Sequence, residues 1–267
     1  MRKVLVTGAG GQLGRRLMAL AKEAELEVVG LDRAGLDITQ PGAVVSALQA
    51  IQPDAVINAA AYTAVDRAEQ EQALAHAVNV DGPRNLAVAC AVQGVDFLHI
   101  STDYVFDGAK SAAYVPADAV APLGVYGQTK WEGESAVLAA GDRTWVVRAA
   151  WLYDSEGPNF LHTMLRLGQQ GRSLKVVDDQ IGTPTSAHYF AEALLAWAAE
   201  PDRWAPGIWH FGHRGSTSWH GFAAAIFEQA GMEVDLAPAR RRPIPHRRNA
   251  PSIRTSTPRR GMLHGAR

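Results

Sequence analysis

The sequence predicts an α/β protein built on a doubly wound parallel sheet, and three observations carry that expectation. Short runs that are apolar throughout alternate with helix-length patterns over the first 150 residues. A glycine-rich turn joins the first such run to the first helix. After Tyr153 the alternation breaks into helices separated by Gly-, Pro-, Trp- and His-rich connections, as a smaller C-terminal lobe would.

The elements follow in order. "KVLVTG", "EVVGLD", "DAVINAAA", "DFLHIS" and "TWVVRAAWLY" are the strands. Being apolar without alternation, they imply a sheet covered by helices on both faces. "GRRLMALAKEAE", "PGAVVSALQAIQ", "NVDGPRNLAVACAVQ" and "YGQTKWEGESAVLAA" are the helices between them. "NFLHTMLRLGQQ" and "SAHYFAEALLAWAAE" are helices of the second half. The expected division is a nucleotide-binding domain over residues 1–150 with a return at about 178–206, and a substrate-binding lobe over 151–177 and 207–267.

The chain of 267 residues is 47% hydrophobic and 20% charged, enough for a buried core. A net charge of -1 gives no global reason to expect nucleic acid or a membrane surface as a partner. The single cysteine, Cys90, lies in the apolar run "NLAVACAV"; it allows no intramolecular disulfide and reads as core. The N-terminus enters a strand too early for a secretory leader, and "AEALLAWAAE" is too short to span a bilayer, so a cytoplasmic location is expected. The Arg- and Pro-rich end fits a nucleic-acid arm, a loop closing over a phosphorylated ligand, or an end without fixed structure. Composition alone does not choose, and no nucleic-acid partner is expected.

"VLVTGAGGQLGRRL" places Gly8, Gly11 and Gly14 between a strand and a helix. This G-x-x-G-x-x-G turn is a variant of the dinucleotide fingerprint, in which glycines admit a diphosphate to the backbone and the helix start supplies N–H groups and partial positive charge. The domain is therefore expected to be Rossmann-type, with Gln12 and Leu13 at the helix start joining the glycines in cofactor binding. Asp32 ends the second strand where a carboxylate commonly holds the adenosine ribose hydroxyls. Arg33 beside it could take a 2'-phosphate, which leaves NADH against NADPH open. Asp32 also reads as a plain strand-end turn residue.

Asp37 and Ile38 offer a possible adenine contact. Ala59, Ala60 and Ala61 leave room at a strand's carboxyl end, though they could equally be filler. Asn79 is either a structural amide or support for the active site, and it is kept among the cofactor candidates.

Tyr126 and Lys130 are four apart at a helix start, hence on one face. A phenol with an unperturbed pKa of about 10 needs help to trade protons near neutrality, and a neighbouring ammonium favours the phenolate. "FLHISTDYVFDG" brings Ser101 and Thr102 to the carboxyl edge of the sheet before that helix, where a hydroxyl can hold a carbonyl oxygen. Thr102, Tyr126 and Lys130 together read as a hydride-transfer site served by a nicotinamide cofactor, which Tyr126 and Lys130 also touch.

At this point "TGAGGQLG", "NAAAYTAVDRAE", "HISTDYVFDG", "VYGQTKWEGE", "GPNFLHTML" and "VVDDQIGTPTSA" resemble the extended short-chain dehydrogenase/reductases, specifically the dTDP-4-dehydrorhamnose reductase family, over roughly residues 1–225. The resemblance implies NAD(P)H-dependent reduction of the 4-keto group of a dTDP-linked 4-keto-6-deoxyhexose, giving dTDP-L-rhamnose. It makes Thr102, Tyr126 and Lys130 catalytic and puts Asp103, Tyr104 and Trp151 against the sugar. Asn159 and Thr183 follow as nucleotide-sugar contacts.

Two departures stand out. Some family members bind Mg2+ near a dimer interface through carboxylates. Here Arg15, Arg16 and His188 stand in those stretches, so no metal ion is expected and the chain is expected to be a monomer or weak homodimer. The tail also lacks the family's closing helix pattern, leaving open which arginine among Arg240 to Arg248 meets a diphosphate.

A dehydratase on the same scaffold would want an Asp-Glu pair after the threonine, and Asp103-Tyr104 stands there instead. A reductase or epimerase of a related nucleotide deoxysugar, and a non-catalytic NADP-binding regulatory subunit, are the alternatives. His210, His213 and His220 lack a supporting ligand pattern for zinc. Asp66, Glu69 and Glu71 read as a solvated helix start.

Overall fold

The computed structural model describes residues 1–240 and the backbone of 264–265; the tail arginines expected near a diphosphate, beyond Arg240, lie outside the described residues. In chain order the first half runs β1 (Arg2–Thr7), α1 (Gln12–Leu20), β2 (Leu26–Leu31), α2 (Pro41–Ile51), β3 (Ala55–Asn58), α3 (Val65–Ala68), α4 (Gln72–His76), α5 (Gly82–Gln93), β4 (Asp96–Thr102), α6 (Val125–Leu138) and β5 (Thr144–Ala149). The second half runs β6 (Leu152–Tyr153), α7 (Phe160–Gln169), β7 (Leu174–Val177), β8 (Ile181–Gly182), β9 (Thr185–Ser186), α8 (Ala187–Ala199), β10 (Gly207–Phe211), β11 (Thr217–Ser218), α9 (Trp219–Gln229), β12 (Leu236–Ala239) and β13 (His264–Gly265).

The main sheet has the order β13-β10-β5-β4-β3-β1-β2, parallel throughout except where β13 pairs antiparallel with β10. Strand order reverses at β1: β2 lies on one side of it and β3 on the other. Ligands of open α/β sheets bind outside the carboxyl ends of the strands at such a point.

Both faces are covered, as strands apolar on both sides require. Val4, Val6, Ile57 and Leu98 point into one core with Leu13 and Leu17 of α1 and Phe190 and Leu194 of α8. Leu5, Val56, Phe97 and Val146 point into the other with Val44, Leu48, Leu86 and Cys90. Each such fully buried side chain contributes about 1.5–3 kcal/mol. A separate apolar cluster of Met164, Ala223, Ile226 and Phe227 holds α7 and α9 together as the lobe.

One segment lies elsewhere than expected. Gly207–Phe211, assigned to the lobe by the sequence pattern, is a strand of the main sheet beside β5. Its run "GIWHF" is short and lies among the Gly-, Pro-, Trp- and His-rich connections of the second half; His210 within it is nonetheless buried. Among the described residues no helix is long and apolar enough to cross a membrane.

Candidate active site

A cleft of about 900 Å³ opens at the carboxyl ends of β1 and β3. Gly8, with φ +71, makes its floor; a Cβ there would lie 2.6 Å from Ala60 N. Gly14 lets α1 close on that turn, since a Cβ would sit 2.2 Å from Gly8 O. Gly11 is the N-cap of α1, and no side chain caps that end, so its first N–H groups face outward as donors for an anion. Gln12 adds a buried Nε2 with no partner among the described residues. Leu13 is different: its side chain is core, leaving only its backbone to a ligand.

Asp32, Arg33, Asp37, Ile38, Ala59, Ala60 and Ala61 all line the same cleft. Asp32 Oδ1 accepts from the N–H groups of Ala34 and Gly35, both at 3.0 Å, so the carboxylate also builds its own turn. Thr39 holds the Asp37 carboxyl below the usual carboxylate range through its hydroxyl and N–H. Ile38 is buried beneath Gly82. Shape, donors and the free helix start fit a dinucleotide.

At the end of β4, Thr102 Oγ1 donates to Asp103 Oδ1 at 3.0 Å and hydrogen-bonds the Tyr126 phenol. The helix α6 lies close because two glycines face its neighbours: a Cβ on Gly127 would meet Tyr104 O at 2.2 Å, and one on Gly133 would meet Asn79 O at 2.1 Å. Glu69, from the segment read as a solvated helix start, accepts from Val125 N at 3.1 Å and tethers the N-terminus of α6. Glu71 accepts from Tyr62 Oη at 2.6 Å.

The expectation that Lys130 eases deprotonation of the phenol meets a different arrangement. Lys130 Nζ donates to Ile100 O at 2.7 Å and lies 3.1 Å from His99 Nε2. Burial dominates the phenol and pushes Tyr126 above its ordinary value, with Thr102 opposing and Asp103 and Tyr104 adding to the rise. Burial also brings Lys130 down to about 8, with Glu134 opposing. Asp103, 1% exposed, is pushed up to about 7 by burial against the bond from Thr102.

Tyr104 meets Tyr126 edge-on at 5.4 Å. Trp151 stacks on Trp219 with centroids 3.6 Å apart and has φ +45, a left-handed conformation that costs a side-chain-bearing residue about 1–2 kcal/mol. Its Nε1 is buried without a partner among the described residues.

Three polar candidates are engaged within the chain. Asn159 caps α7: Oδ1 accepts from His162 N at 3.1 Å and Nδ2 donates to Asp154 O at 2.7 Å. Thr183 is buried, and its hydroxyl donates to Gly215 O. Asn79 clamps Tyr62 through both ends of its amide and donates to Thr129 Oγ1, one turn along α6 from the Tyr126 carbonyl that Thr129 bonds.

Sequence reasoning missed the buried pair behind α6. Arg148 on β5 makes a two-pronged ion pair with Glu134, which also accepts from Ser101. The signal was partial: Arg148 is a lone charge in an otherwise apolar strand run, whereas Glu134 lies in a helix with other polar residues. His99 was missed for the same reason. Arg16 pairs with Asp154 at 2.5 Å, and Arg15 donates to Gly10 O.

Comparisons with known proteins agree with this fold. A family model described as RmlD substrate binding domain matches residues 1–264. A dTDP-4-dehydrorhamnose reductase from Aggregatibacter actinomycetemcomitans is 44% identical over 234 residues, covering 86% of this chain and 80% of its own. A crystal structure of a dTDP-4-dehydrorhamnose reductase from Clostridium acetobutylicum matches with TM-score 0.89 at 41% identity, over 94% of this chain and 90% of that one. The Bacillus anthracis dTDP-4-dehydrorhamnose reductase, solved in complex with NADP, matches with TM-score 0.86 at 39% identity, over 90% of this chain and 84% of that one.

Proposed function

The chain belongs to the family described as RmlD substrate binding domain, and from that membership we propose that it reduces the 4-keto group of dTDP-4-dehydro-L-rhamnose to give dTDP-L-rhamnose, as a dTDP-4-dehydrorhamnose reductase. The observation that carries the reading is the hydrogen-bonded pair Thr102 and Tyr126 at the carboxyl edge of the sheet, with Lys130 one turn along the same helix.

Bound NADPH or NADH supplies the hydride. Gly8, Gly11 and the open start of α1, with Gln12, receive the diphosphate, and Asp32 and Arg33 receive the adenosine ribose. Thr102 orients the ketone oxygen by a hydrogen bond. Tyr126 Oη delivers the proton to that oxygen as the hydride reaches the carbon, so the ketone becomes an alcohol and the phenol a phenolate to be reprotonated. A phenol kept above its ordinary pKa by burial begins the cycle protonated, as an acid must. Asp103, Tyr104 and Trp151 wall the sugar side, with Trp151 Nε1 a donor available to it. Arg16 pairs with Asp154 and lies 3.8 Å from Glu156, and we take a monomer or weak homodimer as the working state.

The test follows NADPH and NADH oxidation with dTDP-4-dehydro-L-rhamnose, with Tyr126→Phe as control. Turnover that the control loses supports the reductase. Tight cofactor binding without turnover overturns it in favour of another ketosugar or a regulatory role.

A further inference from the structure

Giving up its proton leaves Tyr126 a phenolate, and the next turnover needs a phenol. Among the described residues the hydrogen bonds of that phenol lead through one hydroxyl to one carboxyl. Thr102 bonds the phenol, donates to Asp103 Oδ1 at 3.0 Å, and accepts from Tyr104 N at 3.3 Å. Asp103 opens the turn after β4 and is 1% exposed, and its buried Oδ2 meets no partner among the described residues.

A hydroxyl has one proton to give and two lone pairs to fill, and around Thr102 that count closes in two ways. With Asp103 ionised, Thr102 accepts from the Tyr104 N–H and the Tyr126 phenol and donates to the carboxylate. With Asp103 protonated, it accepts from the Tyr104 N–H and the carboxyl and donates to a phenolate. The second state becomes the first when two protons each cross one hydrogen bond. The Tyr104 N–H is common to both, so the threonine oxygen keeps its place while the protons move.

We propose that Asp103 reloads the acid, acting through Thr102: once Tyr126 has protonated the ketone oxygen, Asp103 passes a proton to Thr102 as Thr102 passes its own to the phenolate. The carboxyl O–H breaks as Thr102 Oγ1 takes its proton, and the threonine O–H breaks as Tyr126 Oη takes that one. The negative charge passes from phenolate to carboxylate. Water supplies the next proton to Oδ2, and a half-turn about Cβ–Cγ presents it to Thr102. The inference deepens the reductase reading and rests on it for the phenolate.

Few ionisable groups stand near the relay. Tyr104 adjoins Asp103, and Tyr126 faces it from α6. Arg148 of β5 and His210 of β10 lie against Phe106, which closes the turn, and Arg148 is paired with Glu134. Burial brings Asp103 up to about 7 against the bond from Thr102, and burial holds the phenol higher still. The transfer therefore runs from the stronger acid to the anion of the weaker one.

The test follows NADPH oxidation by the full chain with dTDP-4-dehydro-L-rhamnose from about pH 5 to about pH 9. In the unaltered chain kcat should fall about tenfold per pH unit once Asp103 has lost its proton. In Asp103→Asn the amide can hold Thr102 but passes no proton. Its kcat should be lower by about tenfold or more at the acid end and level through the window, with KM falling alongside, so that kcat/KM drops less than about threefold. In stopped flow the variant should build up the near-ultraviolet band of tyrosinate as NADPH is consumed.

No turnover by the unaltered chain overturns the reductase reading and the relay with it. Turnover with kcat unmoved in Asp103→Asn, with kcat and kcat/KM reduced alike, or with no tyrosinate band overturns the relay alone. If the variant does not fold, the unaltered chain decides: a kcat level across the range in which Asp103 loses its proton overturns the proposal.

Discussion

Thr102 Oγ1 donates its only proton to Asp103 Oδ1 at 3.0 Å, while Asp103 Oδ2 is buried without a partner among the described residues. The same threonine hydroxyl bonds the Tyr126 phenol, and the protonated phenol can donate to its oxygen while the threonine proton stays on Asp103. When Asp103 is protonated it can donate to Thr102 and free the threonine proton for the phenolate that proton delivery leaves.

The charge on Asp103 therefore bears on stability as well as chemistry. Its folded pKa of about 7 lies above the ordinary 3.8, so between those values the native state binds a proton the unfolded chain has released. Stability falls by roughly 1.4 kcal/mol per pH unit across that window and levels off above it. Asp103→Asn removes the penalty. Melting curves should show the variant matching the unaltered protein near pH 4 and exceeding it by several degrees at pH 8, and equal pH dependence in the two would refute the assignment.

Tyr126→Phe deletes the acid and leaves the ring's packing against Tyr104. A positioned general acid is worth about 10²–10⁴ in rate, so kcat should fall by that factor. Cofactor affinity, measured by nucleotide fluorescence, should change less than about twofold, because none of the groups assigned to the diphosphate or the adenosine ribose is altered.

Arg33 is exposed at the lip of the cleft beside Asp32. A charged hydrogen bond is worth about 1.5–3 kcal/mol; if Arg33 holds a 2'-phosphate, Arg33→Ala should raise KM for NADPH about tenfold or more and leave KM for NADH nearly unchanged. A parallel rise in both would show that the arginine reads no phosphate.

The sheet and the cleft were legible because their signals are local. A buried parallel strand is apolar throughout, and a tight turn against a diphosphate needs glycine, so β1 to β5 and Gly8 could be read directly. Polar side chains were harder, since a residue's type does not say which way its bonds run. Asn79, read as either a structural amide or active-site support, clamps a loop, and Asn159, read as a nucleotide-sugar contact, caps a helix. His99 and Arg148 passed unremarked in strands whose apolar neighbours set the pattern, and Glu134 in a helix with other polar residues. Their partners are brought together only by strand register, as where Ser101 stands opposite Arg148.

The Glu134–Arg148 pair is 2% exposed on each side and ties α6 to β5. Removing one member of a buried pair leaves the other uncompensated, at a cost of about 3–5 kcal/mol. Glu134→Leu should lose that much in urea unfolding, and the double change Glu134→Leu with Arg148→Met should recover a large part of it. A double variant as unstable as the sum of the singles would mean that the two do not act as a pair.

Gly127 and Gly94 separate a packing role from a conformational one. A Cβ at Gly127 would lie 2.2 Å from Tyr104 O, a backbone atom that cannot turn aside, so Gly127→Ala must push α6 away from the turn that carries Asp103 and Tyr104. Overpacking of this kind costs about 1–3 kcal/mol. Because Tyr126 is the next residue, the displacement also moves the phenol off Thr102, and kcat should fall about tenfold or more for a misplacement of about 1 Å. Gly94, at the far end of α5, has φ +69, and a methyl group there would meet nothing within 4 Å. Gly94→Ala should therefore lose a comparable 1–2 kcal/mol, roughly the left-handed penalty, with kcat unaltered. Thermal melts and steady-state kinetics on the two variants test this together. If both lose stability but only Gly127→Ala loses rate, the close approach of α6 is what sets the acid in place; equal loss of rate would mean that any destabilisation of the domain slows the reaction.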